Sequence, residues 1–192
     1  MPHVSIATEA PTKLDLACGT NKREGFFGVD VVETDAADMA LDLLRFPWPF
    51  EDSSVEEIVS SHFVEHIPHW RPWFPDNRDG LILFMDECHR ICKHGATVEI
   101  IHPYGMSKRA LQDPTHERYI IEDTWTGYFS RAGREQMGVE HYPITADFEV
   151  TNIANGFYPE WALRSDVSRT WAAAHYFNVV TDLVVTLRAL KD

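Results

Sequence analysis

The sequence predicts an α/β fold whose mostly parallel sheet carries an antiparallel pair of strands at its C-terminal edge. Short runs rich in apolar and β-branched residues alternate with a segment of helical periodicity, which is typical of parallel sheets. Two runs near the C-terminus alternate like half-solvated strands. The chain has 192 residues, of which 44% are hydrophobic and 24% charged, so it is expected to form a single domain over 1–192.

The elements follow in the order strand, turn, strand, strand, strand, helix, strand. A first strand begins at Lys13 and ends in a turn at Gly19. Further strands are predicted at 26–32, 39–43, 55–62 and 96–102, and a helix at 80–93, where apolar residues recur every three or four positions before Gly95. Only 18–25 separates the first two strands, which leaves no room for a normal crossover helix.

The C-terminal half adds two strands and an aromatic-rich insertion. Strands at 147–153 and 178–190 are predicted to pair, with a turn-rich stretch at 154–177 between them. Insertions are expected at about 67–79 and 103–146. The first holds two tryptophans and two arginines, and is interpreted either as a lid over the site or as a loop fixed to the core by its aromatic residues.

Composition limits the classes of partner. The net charge is 17 − 30 = −13, which argues against general binding of duplex DNA. Neither a long apolar run nor a secretory signal is present in the sequence, and the three cysteines suggest reduced thiols, so a cytoplasmic protein without a membrane partner is expected. The oligomeric state stays open, a homodimer included.

Acidic residues stand at the ends of the first three predicted strands. Asp15 lies just before the glycine turn, Asp30 closes the second strand and Asp42 the third. Ligands of open α/β sheets bind beyond the carboxyl ends of the strands, where Asp30 could accept hydrogen bonds from ribose hydroxyls and Asp42 from an exocyclic amine. The dinucleotide pattern G-x-G-x-x-G is absent, since Gly19 stands alone, so a ligand without pyrophosphate is favoured.

Several segments together carry a family resemblance. They are, in order, 14–19 (LDLACG), 25–30 (GFFGVD), 46–58 (FPWPFEDSSVEEI), 62–67 (HFVEHI), 87–96 (ECHRICKHGA) and 113–116 (DPTH). In this order and spacing they resemble the motifs of class I S-adenosylmethionine-dependent methyltransferases, most closely a small branch of predicted methyltransferases. Ala17 departs from the family pattern, which has glycine there, and nothing beyond about residue 120 matches well.

The resemblance implies a Rossmann-like fold, S-adenosyl-L-methionine as cofactor, and methyl transfer to a small-molecule or nucleotide-like acceptor. By position, the turn at Asp15, Ala17, Cys18 and Gly19 would lie along the methionine part, and Asp30 would hold the ribose, with the apolar Val31 beside it to cover the base. Asp42 and Leu43 would flank the adenine, and Ser61 and His62 would lie near the transferred methyl group.

Histidine is the candidate proton acceptor, because its pKa lies near neutrality. His62, His66 or His116 is predicted to fill this role, with Asp113 orienting His116. A purely structural role for each histidine is the competing interpretation. Two further alternatives are a non-catalytic binding module of the same fold and a metal enzyme with a histidine-carboxylate site built from 62–66, 102 and 113–116; no residue is assigned to a metal.

Overall fold

A computed structural model describes residues 10–191. Its sheet has seven strands in the order β3-β2-β1-β4-β5-β7-β6. The strands are β1 (Lys13–Leu16), β2 (Phe27–Asp30), β3 (Met39–Ala40), β4 (Val55–Ser61), β5 (Cys92–Pro103), β6 (Phe148–Phe157) and β7 (Val180–Ala189). Strands β1 to β5 pair in parallel, and β7 runs antiparallel to both β5 and β6. The predicted fold class is confirmed.

The helices lie mainly in the second half of the described chain. They are α1 (Gly80–Ile91), α2 (Lys108–Gln112), α3 (Arg131–Met137), α4 (Pro159–Ala162) and α5 (Asp166–His175), with short 3-10 helices at Val64–His66 and Pro75–Asn77 and a π-helical turn at Thr124–Tyr128. Within 10–191, α1 is the longest helix at 12 residues, and none has the length and apolarity needed to cross a membrane.

Helix α1 forms because its apolar side chains recur on one face and because Asp79 caps its first turn. The Asp79 carboxylate accepts hydrogen bonds from the backbone N–H groups of Leu81 and Ile82. The predicted end of the helix at residue 93 was wrong: Cys92 already has an extended backbone and pairs with Val55 as the first residue of β5. Gly95 therefore lies inside a strand rather than after a helix.

The stretch 154–177, predicted to be rich in turns, instead contains α4 and α5. Ser165 caps α5 by accepting a hydrogen bond from the N–H of Ser168. Ala172 is the one fully buried residue of α5, so the helix packs little of its surface into the core. Between β1 and β2 the residues 17–26 form a loop and no helix, which explains the short crossover.

The two faces of the sheet differ in how they are packed: one lies against the hydrophobic core, and the other carries charged residues. On one face Leu14, Leu16, Ile58, Val98 and Ile100 are completely or almost completely buried. They belong to one core cluster with Phe84, Met85, Cys88 and Ile91 of α1 and with Trp125 and Phe129. On the other face the strand register places Asp15, Val59 and Glu99 in a row across β1, β4 and β5. This second face leads to the site.

Candidate active site

The strand order reverses between β1 and β4. From β1 the chain continues outward to β2 and β3, and then returns to the other side of β1 to form β4 and β5. The loops that follow β1 and β4 therefore leave the sheet in different directions and open a crevice between them, which is where open α/β sheets bind ligands. A cleft of about 440 Å³ lies here, and Ala17 and Ser61 contribute to it from the two strand ends.

The cleft brings together part of the predicted cofactor site. Its walls include Asp15, Ala17, Cys18, Gly19 and Ser61, all of which were predicted, and also Asn21, Lys22, Arg23, Val59 and Ile101, which were not. In the sequence, Arg23 stands next to Lys22 in a short loop, and nothing there marks it as part of a binding site. Its backbone N–H donates to the Asp15 carboxylate at 2.7 Å, and its guanidinium pairs with Glu99.

Asp30 is fixed at the end of β2 by two backbone donors. Its Oδ2 accepts a hydrogen bond from the N–H of Gly19 at 2.8 Å, and its Oδ1 accepts one from the N–H of Val32 at 3.0 Å. Each oxygen keeps a lone pair for a further donor. A Cβ added to Gly19 would meet nothing within 4 Å, so the glycine borders open space beside this carboxylate.

Two residues at the switch point have strained backbones. Ala17, directly after β1, has φ 61°, and His62, directly after β4, has φ 54°. The left-handed region is unfavourable for both residue types, and such conformations concentrate at ligand-binding sites. Ala17 occupies a position at which the family pattern has glycine, so the sequence carries the signal for the first of these turns.

Five of the predicted cofactor residues are not among the cleft walls: Asp30, Val31, Asp42, Leu43 and His62. The Val31 side chain is 65% exposed beyond Asp30. Leu43 is buried in the core at 3% exposure, and its carbonyl accepts from the indole N–H of Trp48. Asp42 follows β3 by two residues and accepts a hydrogen bond from the N–H of Leu44. The Leu43 side chain is therefore part of the hydrophobic core.

Burial changes the ionisation of the cleft groups. Burial raises the pKa of Asp15, against the hydrogen bond from the N–H of Arg23, which lowers it. Burial together with the charges of Asp15 and Asp30 raises the pKa of the Cys18 thiol. The thiol packs towards Gly28 of β2, where an added Cβ would lie 3.0 Å from its sulfur. Cys18 is therefore a neutral packing group at neutral pH.

A second, smaller cleft of about 230 Å³ begins at His62, next to Ser61 of the first. It unites all four predicted catalytic residues, His62, His66, Asp113 and His116. Glu65, Pro103, Arg109 and Gln112 complete its walls. Residues distant in sequence meet because the backbone carbonyl of Glu65 accepts hydrogen bonds from the N–H groups of Glu117 and Arg118 at 2.8 and 3.2 Å.

The ring of His116 is oriented by a backbone carbonyl, whereas Asp113 was predicted to orient it. His116 Nδ1 lies 2.8 Å from the carbonyl oxygen of Ala110, so that carbonyl orients the ring. The Asp113 carboxylate instead accepts from the N–H and hydroxyl of Thr115, and its Oδ2 lies 3.9 Å from His116 Nε2, beyond hydrogen-bond range. Asp113 and His116 are therefore within ion-pair distance, but no hydrogen bond joins them.

Glu65 belongs to segment 62–66 of the alternative metal site, and it was not among the predicted catalytic residues. Its side chain is 2% exposed, and its Oε1 lies 3.3 Å from Nδ1 of His62. The hydrogen bond to Glu65 raises the pKa of His62, against the opposing effect of burial. A glutamate directly before a histidine was the signal available in the motif at 62–67.

Arg109 and Asp182 add a charged pair beside the histidines. The Arg109 Nε donates to Asp182 Oδ1 at 3.1 Å and joins α2 to β7.

His102, on β5, is fully buried, and its Nε2 accepts from the indole N–H of Trp125 at 3.0 Å. Burial lowers the pKa of His102, so it remains neutral and belongs to the core.

Comparison with solved structures identifies the fold. A S-adenosylmethionine-dependent methyltransferase from Archaeoglobus fulgidus superposes with a TM-score of 0.56 at 17% identity, over 92% of this chain and 85% of its own. One from Methanosarcina mazei gives 0.54 at 15% identity, over 94% and 92%. The chain has the fold of the class I S-adenosylmethionine-dependent methyltransferases.

A third structure with this fold carries ligands. It is geranyl diphosphate C-methyltransferase from Streptomyces coelicolor, in complex with Mg²⁺, geranyl-S-thiolodiphosphate and S-adenosyl-L-homocysteine. It superposes with a TM-score of 0.51 at 13% identity, over 94% of this chain and 70% of its own. No protein-family model and no curated protein sequence matches the chain.

Proposed function

We propose that this protein transfers a methyl group from S-adenosyl-L-methionine to an acceptor bound in the histidine cleft. The observation that carries the proposal is the position of Asp30 at the end of β2, where its carboxylate is bound by the N–H of Gly19, which lines the cleft of about 440 Å³. The resemblance to methyltransferase motifs and the shared fold point to the same cofactor, and the S. coelicolor enzyme binds S-adenosyl-L-homocysteine.

The residues present fit such a cofactor. The Asp30 carboxylate, held by the N–H groups of Gly19 and Val32, has lone pairs free for two vicinal hydroxyls. The open space beside Gly19 lets a ligand approach the backbone without meeting a Cβ. Val59 and Ile101 give the cleft an apolar floor.

The cofactor supplies an electrophilic methyl group on a sulfonium. The chain then has to align an acceptor with that methyl group, and such alignment is worth up to about 7–11 kcal/mol in favourable cases. Ser61 and His62 are adjacent in sequence and belong to the first and second cleft respectively, so the clefts meet at the end of β4. We assign the histidine cleft to the acceptor, whose chemical identity is open.

Calorimetry with S-adenosyl-L-homocysteine tests the cofactor assignment. The wild type is expected to bind, and Asp30→Asn is expected to bind about 10- to 100-fold more weakly, because hydrogen bonds to a charged carboxylate are worth about 1.5–3 kcal/mol. Asp35→Asn, at an exposed acid in the following loop, makes the same change of charge and should bind like the wild type. Absence of binding by the folded wild type would refute the proposal.

A further inference from the structure

We propose that Glu65, His66 and His116 form a binding site for a divalent transition-metal ion. Within residues 10–191 they are the group of metal-ligating side chains that comes together, with one ligand atom of each lying within 4.8 Å of the others. Two imidazoles and one carboxylate are a set typical of Zn²⁺, Fe²⁺ and similar ions, and unlike the all-oxygen sets of Mg²⁺ and Ca²⁺.

The first argument is an unpartnered buried carboxylate oxygen. Glu65 is 2% exposed, and its Oε2 is completely buried with no hydrogen-bond partner among the described residues. Leaving a buried carboxylate oxygen without a donor costs free energy, so native structures pair such atoms or let them bind a metal. The same side chain lines the cleft that holds both histidines.

The second argument is the orientation of the two imidazole rings. His116 Nδ1 lies 2.8 Å from the carbonyl oxygen of Ala110. His66 Nδ1 lies 3.0 Å from the hydroxyl of Thr115 and 3.3 Å from its carbonyl oxygen. The carbonyls can only accept, and the Thr115 hydroxyl donates its proton to Asp113 at 2.7 Å, so each ring carries its proton on Nδ1 and keeps the lone pair on Nε2. Metal-bound histidines characteristically donate their other N–H to a backbone carbonyl in this way.

The third argument is that hydrogen bonds hold the two ligand-bearing segments firmly together. The Glu65 carbonyl is bound by the N–H groups of Glu117 and Arg118, so the segment bearing His116 is held against the one bearing Glu65 and His66. The Arg118 guanidinium donates to the carbonyls of Ile67 and Pro68 at 2.6 and 2.9 Å, which fixes the same junction a second time. Ligands at about 2.1 Å from a tetrahedral ion lie about 3.4 Å apart, so small side-chain rotations complete the site.

Three protein ligands leave a coordination position open. It would face the cleft that also contains His62 and Arg109. Ions with three protein ligands and an open position polarise an oxygen bound there, whereas four-ligand sites are structural. The site therefore suits an acceptor with a hydroxyl or carbonyl oxygen.

Cobalt binding to the metal-free full chain tests the site. Co²⁺ is titrated into protein that has been stripped with a chelator, without any nucleoside present, and both heat and visible d–d absorption are recorded. One ion per chain is expected. Glu65→Gln and His116→Gln should weaken binding by about 10- to 100-fold or more, since even changes to outer-shell groups have effects of that size.

His94→Gln is the matched control, because His94 is an exposed histidine at the opposite end of β4 and β5. It should bind Co²⁺ like the wild type. Equal affinity of folded Glu65→Gln, His116→Gln and wild type, or no binding by the wild type, would overturn the site. Displacement of Co²⁺ by a modest excess of Mg²⁺ would overturn the choice of a transition metal. None of these results depends on whether S-adenosyl-L-homocysteine binds.

Discussion

Ala17 and Gly19 show how single residues shape the turn after β1. Both have positive φ, at 61° and 58°. For glycine this conformation is free of strain, whereas for alanine the Cβ approaches the carbonyl oxygen and costs about 1–2 kcal/mol. The N–H groups of Ala17 and Cys18 both donate to the carbonyl of Val29, which holds the turn against β2 despite the strain.

Replacing Ala17 by glycine should therefore stabilise the protein. Ala17→Gly is expected to raise the free energy of unfolding by about 0.5–1 kcal/mol, since the relieved strain exceeds the added entropy of the unfolded chain. Urea unfolding measures this. Ala154→Gly, at an exposed position of β6, is the matched control and should lower stability by about 0.5–1 kcal/mol. Similar losses in both variants would contradict the strain argument.

At the residue scale, the sequence was informative where chemistry is local. Gly19 and Asp30 were predicted from a turn and a strand end, and they do contact each other. Leu43 was predicted to flank the adenine from its position in the chain, and the burial of its side chain depends on packing that the local sequence does not show. The role of Glu65 was missed because burial of an acid depends on segment 113–118, which the chain reaches about 50 residues later.

Among the elements, α1 was the easiest to predict and α5 the hardest. Helix α1 has an apolar stripe and a capping acid, both visible in the sequence. Helix α5 buries only Ala172, so its formation depends on Ser165 as a cap and on contacts outside the helix. Periodicity finds elements whose stability comes from one buried face, and misses those at the surface.

Asp79 links α1 to the loop before it, and two substitutions separate its roles. Its carboxylate caps α1 and also accepts from Arg118, which is 8% exposed, and from His69. Asp79→Ala should lower the free energy of unfolding by about 2–4 kcal/mol, because it removes the cap and leaves a buried guanidinium without its acid.

Asp79→Asn keeps the capping oxygen but removes the charge. It should therefore lower the free energy of unfolding by less than Asp79→Ala does, and the difference should be about 0.5–2 kcal/mol, which is the contribution of a helix cap. Ser165→Ala, which removes only the cap of α5, should cost about 0.5–2 kcal/mol. Thermal and urea unfolding compare the three. If Asp79→Asn were as damaging as Asp79→Ala, capping would contribute nothing at α1.

For the whole molecule, the strand order determines where the chemistry can be. The reversal between β1 and β4 puts Ala17 and Ser61 on opposite sides of one crevice, and the antiparallel β7 brings Asp182 to Arg109 at the neighbouring cleft. Parallel pairing of the first strands was predictable from buried apolar runs. Sheet order depends on long-range register, and the sequence alone contains little local information about it.

The histidines also make the stability of the whole fold depend on pH. Burial lowers the pKa of His89 from 6.5, against the carbonyl of Leu190, which accepts from its Nε2 at 2.7 Å. As pH falls below 6.5, the unfolded chain takes up a proton at this position before the folded chain does, so this histidine makes the fold less stable with falling pH.

His89→Gln removes this titration and should flatten the fall in the free energy of unfolding on the acid side of 6.5. His141→Gln, at an exposed histidine, should follow the wild type. Urea midpoints across that range measure the difference, and parallel curves for wild type and His89→Gln would show that the proton affinity of His89 is the same in both states.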